Sequence, residues 1–365
     1  MGLLDHYRQF EDIDQEELNV ERRARRAREK KLALERVPDL DLSGTEWPDM
    51  PQAEVVNAAI ARARGRVNGY PDRHASGIRR TLAERHDVEP EPFALGNGAA
   101  ELLQAAALSL LSKGDELVMP WPSYPLYPLL AARAGATPIS VEDGPLLDAV
   151  GERTRAVVIC NPNDPTGAHL RADELGGLLS SLPEHVHVLL DEALVHFQDA
   201  EPLDACLQLV KAFPRLLVIR TFSKVYGLSG LRTGYAVGSN ARLLSIVAPV
   251  LGVNALSQAA VEHALHHGDA EIDKRRQAVA HERRRLLEAC RSHPVDADPS
   301  QANFVWLRAR GYSGAQLTDA LRRQGVIVAA GGPLGADDHV RITVRNAGAT
   351  DRLLSALEKA LPSQA

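Results

Sequence analysis

The sequence predicts an α/β protein, with a large domain on a mostly parallel sheet flanked by helices and a smaller α+β domain beside it. Two observations carry this expectation. First, short continuous apolar runs recur at ELVMP (116–120), RAVVICN (155–161), HVLLDE (187–192), LLVIRTF (216–222) and GYAVG (234–238). As a set they are too short for helices, rich in β-branched residues and bounded by polar residues, Gly or Pro. That is the pattern of strands buried on both faces. Second, longer helical patterns separate them, as the crossovers of a parallel sheet require.

From the N-terminus, residues 1–37 predict a helical arm. Leu3, Tyr7, Phe10 and Ile13 fall at helical spacing, and residues 20–36 carry eight Lys/Arg against three Glu. A solvated amphipathic helix accounts for this pattern; the sharper reading is an arm whose narrow apolar stripe rests on a second subunit. Pro38 ends the arm. DLDLSGTEWPDMP is extended and turn-rich, a helix is expected from about Gln52 to Arg64, and NGYPDR is a turn. The alternation of strands and helices then fills a large domain over residues 67–254. After about Asn254 a long charged helix runs through DKRRQAVAHERRRLLEACRS. A strand (NFVWLR), a helix (SGAQLTDALRRQG), strands at VIVAA and VRITVR and a last helix follow. Residues 38–66 and 255–365 are expected to form the smaller domain.

Composition excludes several classes. The chain has 365 residues, 45% hydrophobic and 25% charged, which fits neither disorder nor a fibrous repeat. The length suits two domains with an added arm. A net charge of −6 removes the electrostatic case for a nucleic-acid partner. Cys160, Cys206 and Cys290 form no CxxC, so reduced thiols are expected. No window approaches the roughly 18 uninterrupted apolar residues of a membrane-spanning helix. The acidic start MGLLDHYRQFEDID is unlike a secretory signal. A cytoplasmic protein of enzyme size is the expectation, with no membrane partner. His263, His266 and His267 lie on a polar helix end without HExxH spacing, so a solvated cluster is expected and no metal site. Gly96-Asn97-Gly98 fails the dinucleotide fingerprint, because Glu101 stands at its third glycine position.

Ligands of open parallel sheets bind at the carboxyl ends of the strands, and the unusual residues collect there. The run 155–160 leads into NPNDPTG, 187–190 into Asp191-Glu192, 216–221 into Phe222-Ser223-Lys224, and GNGAAE (96–101) opens a helix. A lysine among partly apolar neighbours has a lowered pKa and can act as a Schiff-base amine. A buried aspartate such as Asp191 is costly unless it meets a positive partner; Glu192 reads better as a helix N-terminal residue. Glycines opening a helix leave backbone N–H groups free for a phosphate, and a nearby serine and arginine add charge-assisted donors. Tyr124, in WPSYPLY, can stack on a flat ligand. Pyridoxal phosphate is the ligand that uses all of these groups: an aldehyde, a ring nitrogen, a phosphate and a planar ring.

The chain resembles the fold-type I, class I/II aminotransferases, and within them the histidinol-phosphate aminotransferase-like group. The resemblance runs from about Leu40 to the C-terminus. Its landmarks stand in order: Tyr70-Pro71, Gly98-Ala99-Ala100-Glu101, Pro122-Ser123-Tyr124, Asn161 to Gly167, Asp191-Glu192-Ala193, Ser223-Lys224, Gly227, Gly230, Arg232, Asn303-Phe304 and Arg341-Ile342-Thr343. The resemblance implies the fold-type I fold of pyridoxal-phosphate-dependent transferases. It implies that Lys224 holds the cofactor as a Schiff base, that Asp191 pairs with its ring nitrogen and that Tyr124 stacks on the ring. Gly98, Ala99, Ala100, Ser223 and Arg232 would surround the phosphate, and residue 164 would face the phenolic oxygen. Tyr70 would reach the phosphate from a partner subunit, which implies a homodimer with shared sites. Arg341, with Tyr70 and Trp47, would receive the substrate. The implied reaction passes an amino group between an amino acid or phosphorylated amine and a 2-oxo acid, with neutral Lys224 moving the Cα proton.

The sequence departs from the family pattern at several positions. The residue before Pro165-Thr166-Gly167 is usually Asn and here is Asp164; the Tyr usual three residues after the ring-nitrogen Asp is here Leu194. Both usual donors to the phenolic oxygen are thus replaced. That predicts a Schiff base of raised pKa, unless Asp164 is protonated or turned to another partner. The Arg that commonly ends a G-[VI]-[IL]-[VL]-R stretch in histidinol-phosphate enzymes is here Ala329, after Gly325-Val326-Ile327-Val328, and Thr45 replaces a usual Asn. The expectation is therefore the general aminotransferase reaction, with a carboxylate-bearing amino acid at least as well placed as histidinol phosphate. Leu194 keeps open an alternative, a decarboxylase or lyase of the threonine-phosphate decarboxylase type. A non-catalytic interaction protein retaining the fold is the rival of another class, and the intact Lys224, Asp191 and Arg232 oppose it.

Overall fold

The structure, a computed structural model, describes residues 20, 22–26, 38–65, 67–89 and 92–361. Of the N-terminal arm, residues 20 and 22–26 are helical and exposed; the stripe Leu3, Tyr7, Phe10 and Ile13 lies outside the described residues.

Helices α1 (Ala53–Ala63) and α2 (Ser76–His86) precede the first strand, β1 (Phe93–Gly96). Then come α3 (Ala99–Leu110), β2 (Glu116–Pro120), α4 (Leu126–Ala134), β3 (Thr137–Val141), β4 (Thr154–Cys160), α5 (Ala172–Ser181), β5 (His187–Asp191), β6 (Leu216–Thr221) and β7 (Gly234–Val237). These strands form one seven-stranded sheet of order β1-β7-β6-β5-β4-β2-β3. It is parallel except at β7, which runs antiparallel to both β1 and β6. All five apolar runs are strands. β1 and β3 complete the sheet from segments the run pattern does not mark; β3 lies at the sheet edge, largely exposed.

The sheet is covered on both faces, which is why its strands read as continuous apolar runs rather than alternating ones. Val157, Ile159, Val188, Leu190 and Val218 point into one core, shared with Ile78 and Leu82 of α2 and Leu175 and Leu179 of α5. Val158, Leu189, Leu217 and Ile219 point into the other, against Leu102, Leu103 and Ala106 of α3 and Tyr127 and Leu130 of α4.

Three helices follow the sheet: α6 (Ala241–Val247), α7 (Ala255–His267) and the long α8 (Asp269–Cys290). Val55 and Ala59 of α1 and Ala260 and Val261 of α7 lie in the apolar cluster of the large sheet, although the sequence pattern assigns both helices to the smaller domain. Beyond α8, strands β8 (Val295–Ala297), β9 (Phe304–Ala309), β10 (Ala329–Ala330) and β11 (His339–Thr343) form an antiparallel sheet of order β10-β11-β9-β8. It is accompanied by α9 (Gly314–Arg323) and α10 (Ala347–Ala360). Segment 42–45 is tied to β11 and to the segments flanking β9 and β10: Thr343 N donates to Leu42 O (2.9 Å), Leu42 N to Ile327 O and Asn303 Nδ2 to Thr45 O (3.0 Å). No helix among the described residues is long and apolar enough to cross a membrane.

One strand side chain is charged and fully enclosed. Arg220 of β6 donates through Nε to Glu192 Oε2 and through Nη1 to Asp204 Oδ1, both at 2.7 Å, and through Nη2 to Leu203 O at 2.9 Å. Asp204 also meets His86 Nδ1 at 2.9 Å, and His86 Nε2 meets the Tyr235 hydroxyl at 3.0 Å. Glu192 is thus the acidic end of a buried ion pair rather than the helix N-terminal residue the sequence suggests. Breaking a buried pair from one side strands the other charge. Arg220→Ala is expected to lower unfolding free energy by about 3–5 kcal/mol, measured by urea denaturation against the wild type.

Candidate active site

The carboxyl ends of β4, β5 and β6 and the N-terminus of α3 open into one cleft, at the place where open α/β sheets bind ligands. Its walls include Ala99, Ala100, Tyr124, Asp164, Asp191, Ser223, Lys224 and Arg232. The sequence places these residues far apart, and the sheet topology brings them together.

Lys224 follows β6, and its Nζ donates to Thr45 Oγ1 at 2.5 Å. The surrounding protein strips water from the amine and lowers its pKa, against the opposing pull of Asp164. Asp191 ends β5 and is buried. Its Oδ1 accepts from Ala193 N and its Oδ2 from the Tyr127 hydroxyl, each at 3.0 Å. Burial nevertheless pushes its pKa up to about 6.

At the other end of the cleft, α3 begins at Ala99 with no side-chain cap, so its first N–H groups face the cleft mouth. Gly98 takes φ +91°, a backbone conformation that favours glycine, and it lies against the end of the Arg232 side chain. Arg232 Nη1 donates to Ser223 Oγ at 3.3 Å, and Ser223 Oγ lies 3.0 Å from Thr221 Oγ1. Tyr124 is half-exposed and meets the Tyr127 ring edge-on at 5.8 Å between centroids.

Four predicted residues do not line this cleft. Gly98 stands just outside it, at the N-cap of α3. Tyr70 is 85% exposed and borders a separate cavity with Arg62, Gln258 and Glu262. Trp47 carries Arg275 over its ring, with Cζ 4.7 Å from the centroid. Arg341 of β11 is buried; its Nη1 donates to Asp164 Oδ1 at 2.5 Å and its Nη2 to Ser43 O at 2.9 Å. Asp164 is therefore turned to another partner, the second of the two arrangements the sequence leaves open.

The sequence reading missed Tyr127, Thr221 and Cys160. Tyr127 sits three residues after Tyr124, and that spacing on the first turn of α4 was the available signal. Cys160 lines the cleft as the last residue of β4, with its thiol pushed well above the ordinary range by burial.

Residues 38–360 match the family model for aminotransferase class I and II. The chain belongs to that family. It is 41% identical over 325 residues to an aromatic amino acid aminotransferase of Corynebacterium jeikeium, covering 84% of this chain and 85% of the relative. A relative of the same description from Mycobacteroides abscessus is 38% identical, over 79% and 84% of the two chains. Among solved structures, the histidinol-phosphate aminotransferase of Sinorhizobium meliloti in complex with pyridoxal-5'-phosphate superposes with a TM-score of 0.78 at 26% identity, over 90% of this chain and 92% of that one.

This aminotransferase is pyridoxal-phosphate-dependent, and the cleft fits the group. The uncapped α3 N-terminus with Ser223 and Arg232 suits a phosphate. A buried carboxyl with a raised pKa at Asp191 suits a protonated ring nitrogen, whose positive charge would restore ionisation. Lys224 lines the same cleft with a pKa lowered toward its neutral form.

Asp191 makes a pH prediction for the apoprotein. Its folded-state pKa, about 6, lies above the unfolded value of 3.8. The group's contribution is fully present below the unfolded value and is lost as pH rises through the folded one. The difference in melting temperature between wild type and Asp191→Asn should therefore shift against the wild type from about pH 4 to about pH 6, as followed by calorimetry of both apoproteins. A pH-independent difference would contradict the assignment.

Proposed function

We propose that this aminotransferase uses Lys224 to hold its cofactor and to move the substrate's Cα proton, with an aromatic amino acid as donor and a 2-oxo acid as acceptor. The observation that carries the reading is the convergence of the Lys224 amine, the Asp191 carboxyl and the α3 N-terminus on one cleft. When bound, pyridoxal phosphate supplies an aldehyde and an electron-accepting ring.

The chain's own groups do the rest. Asp191, oriented by Tyr127 and Ala193 N, keeps a proton on the ring nitrogen. The α3 N-terminus, Ser223 and Arg232 anchor the phosphate and fix the ring's register. Tyr124 covers one face of the ring. Lys224, with its proton affinity lowered by burial, would take the proton from the substrate Cα and carry it as the site's acid–base group. Arg341 receives the substrate carboxylate, with Trp47, which carries Arg275 over its ring, as a further substrate contact.

Aromatic specificity is supported by the curated relatives' descriptions and by Leu103, Leu194 and Ala193 on the cleft wall. Leu194 makes that part of the wall apolar. The reading includes a homodimer in which Tyr70 completes the partner's site: Tyr70 is 85% exposed, and Ile60, Val250 and Leu251 are exposed as well. A cytoplasmic setting fits the free, buried thiols of Cys160, Cys206 and Cys290.

Mixing the holoenzyme with single amino acids tests the donor. Phenylalanine, tyrosine or tryptophan should convert the cofactor to its amine form with one equivalent of 2-oxo acid; release of carbon dioxide instead would point to a decarboxylase. Lys224→Ala should lower kcat by at least roughly 10²–10⁴-fold. It should also lose the borohydride-stable cofactor adduct that mass spectrometry finds on residue 224 of the wild type.

A further inference from the structure

We propose that Asp164 is a specificity-determining residue: its carboxylate occupies the guanidinium of Arg341, and a substrate carboxylate binds there only by displacing it. The inference rests on the reading of Arg341 as the carboxylate receiver and adds a competitor to it.

The geometry is specific. Asp164 leaves β4 on the loop Asn161-Pro162-Asn163-Asp164, and Arg341 projects from β11 of the other sheet. Their contact at 2.5 Å bridges a sequence separation of 177 residues with both side chains about nine-tenths buried. The loop that carries Asp164 is held in place. Asn163 donates to Pro122 O (3.0 Å) and Thr166 Oγ1 (2.9 Å) and accepts from Ser123 Oγ (2.7 Å), while Asn161 exchanges hydrogen bonds with Leu170 N and O at 2.8 Å each. Arg341 is equally constrained, by Ser43 O and by the Phe304 ring, 5.4 Å from its Cζ.

The consequence is that Asp164, and not Arg341, forms the cleft wall. A ligand entering meets a carboxylate where a bare guanidinium would attract it. The other cations at the cleft are engaged as well, Lys224 with Thr45 and Arg232 with Ser223. An internal carboxylate fixed beside its partner competes at an effective concentration far above that of a free ligand. An amide at residue 164 would lack the charge that makes this competition strong. The pair therefore reduces the advantage that a carboxylate gives a ligand, in a site that otherwise selects by its apolar wall.

The test is calorimetric binding of two unreactive ligands to the holoenzyme, 3-phenylpropanoate and its neutral amide. In Asp164→Asn the carboxylate should bind roughly ten-fold or more tighter than in wild type, and the amide within about two-fold. Asp164→Ser, which removes the charge with a smaller side chain, serves if the first variant does not fold. Unchanged carboxylate affinity in a folded variant, or equal tightening of both ligands, overturns the proposal.

Arg341→Ala separates this from the underlying reading. If it weakens 3-phenylpropanoate in the wild-type background while Asp164→Asn strengthens nothing, Arg341 receives the carboxylate and Asp164 is no competitor. If it changes nothing in the Asp164→Asn background, Arg341 is not the receiver, and both readings fall.

Discussion

The structure depends on the burial of a single carboxyl group at the carboxyl end of the central strand of a sheet covered on both faces. Asp191 ends β5 in the middle of seven strands, where a solvated position is unavailable. A carboxylate in such a place is expensive unless it meets hydrogen-bond donors and a positive charge. The chain supplies two neutral donors, Tyr127 and Ala193 N, and they do not hold the pKa at its ordinary value. Lys224 pulls in the same direction without restoring it, and a further cation in the cleft would favour the ionised form. On the proposed reading the ring nitrogen of the cofactor supplies that charge, with Lys224 and the α3 N-terminus on the same cleft.

The residue next in sequence shows the other solution to the same problem. Glu192 is also buried, yet its charge is met inside the protein by Arg220, which in turn engages Asp204 and through it His86 and Tyr235. Adjacent acids on one strand end thus have opposite fates. One faces the cleft and is left short of a cation; the other faces the core and is fully paired. The direction that a strand gives to successive side chains separates the two roles, and the Arg220 cluster fixes β5 against β6 so that Asp191 and Lys224 keep their spacing.

Much of this was legible in the sequence because it is written locally. Five apolar runs became strands at nearly their predicted bounds, since two-sided burial leaves a run with no polar interruptions. Lys224, Asp191, Ser223, Arg232 and the α3 opening could be paired with strand ends because chemistry in such sheets gathers there. What escaped was either weakly patterned or non-local. β3 is an edge strand with exposed side chains, so its sequence TPISV lacks the apolar signal. The membership of α1 and α7 in the large core depends on packing between segments some 200 residues apart. Tyr127 looks like any core aromatic until β5 delivers Asp191 to its hydroxyl. The Asp164–Arg341 contact joins two separate sheets, and no spacing rule reaches across it.

That contact also bears on the lysine. Asp164 and Arg341 act on the Lys224 amine in opposite directions, the carboxylate raising its proton affinity and the guanidinium lowering it. Paired with one another, they present a dipole rather than a net charge, and a dipole's influence falls off faster with distance than a charge's. Desolvation is then left as the dominant influence, and it favours the neutral amine that proton abstraction needs. An unpaired carboxylate at 164 would hold the amine protonated, and an unpaired guanidinium would press it further toward neutrality. A ligand carboxylate that takes Arg341 also frees Asp164 to act on Lys224. On the proposed reading, occupancy of the guanidinium and the protonation of the lysine are thereby linked through Asp164.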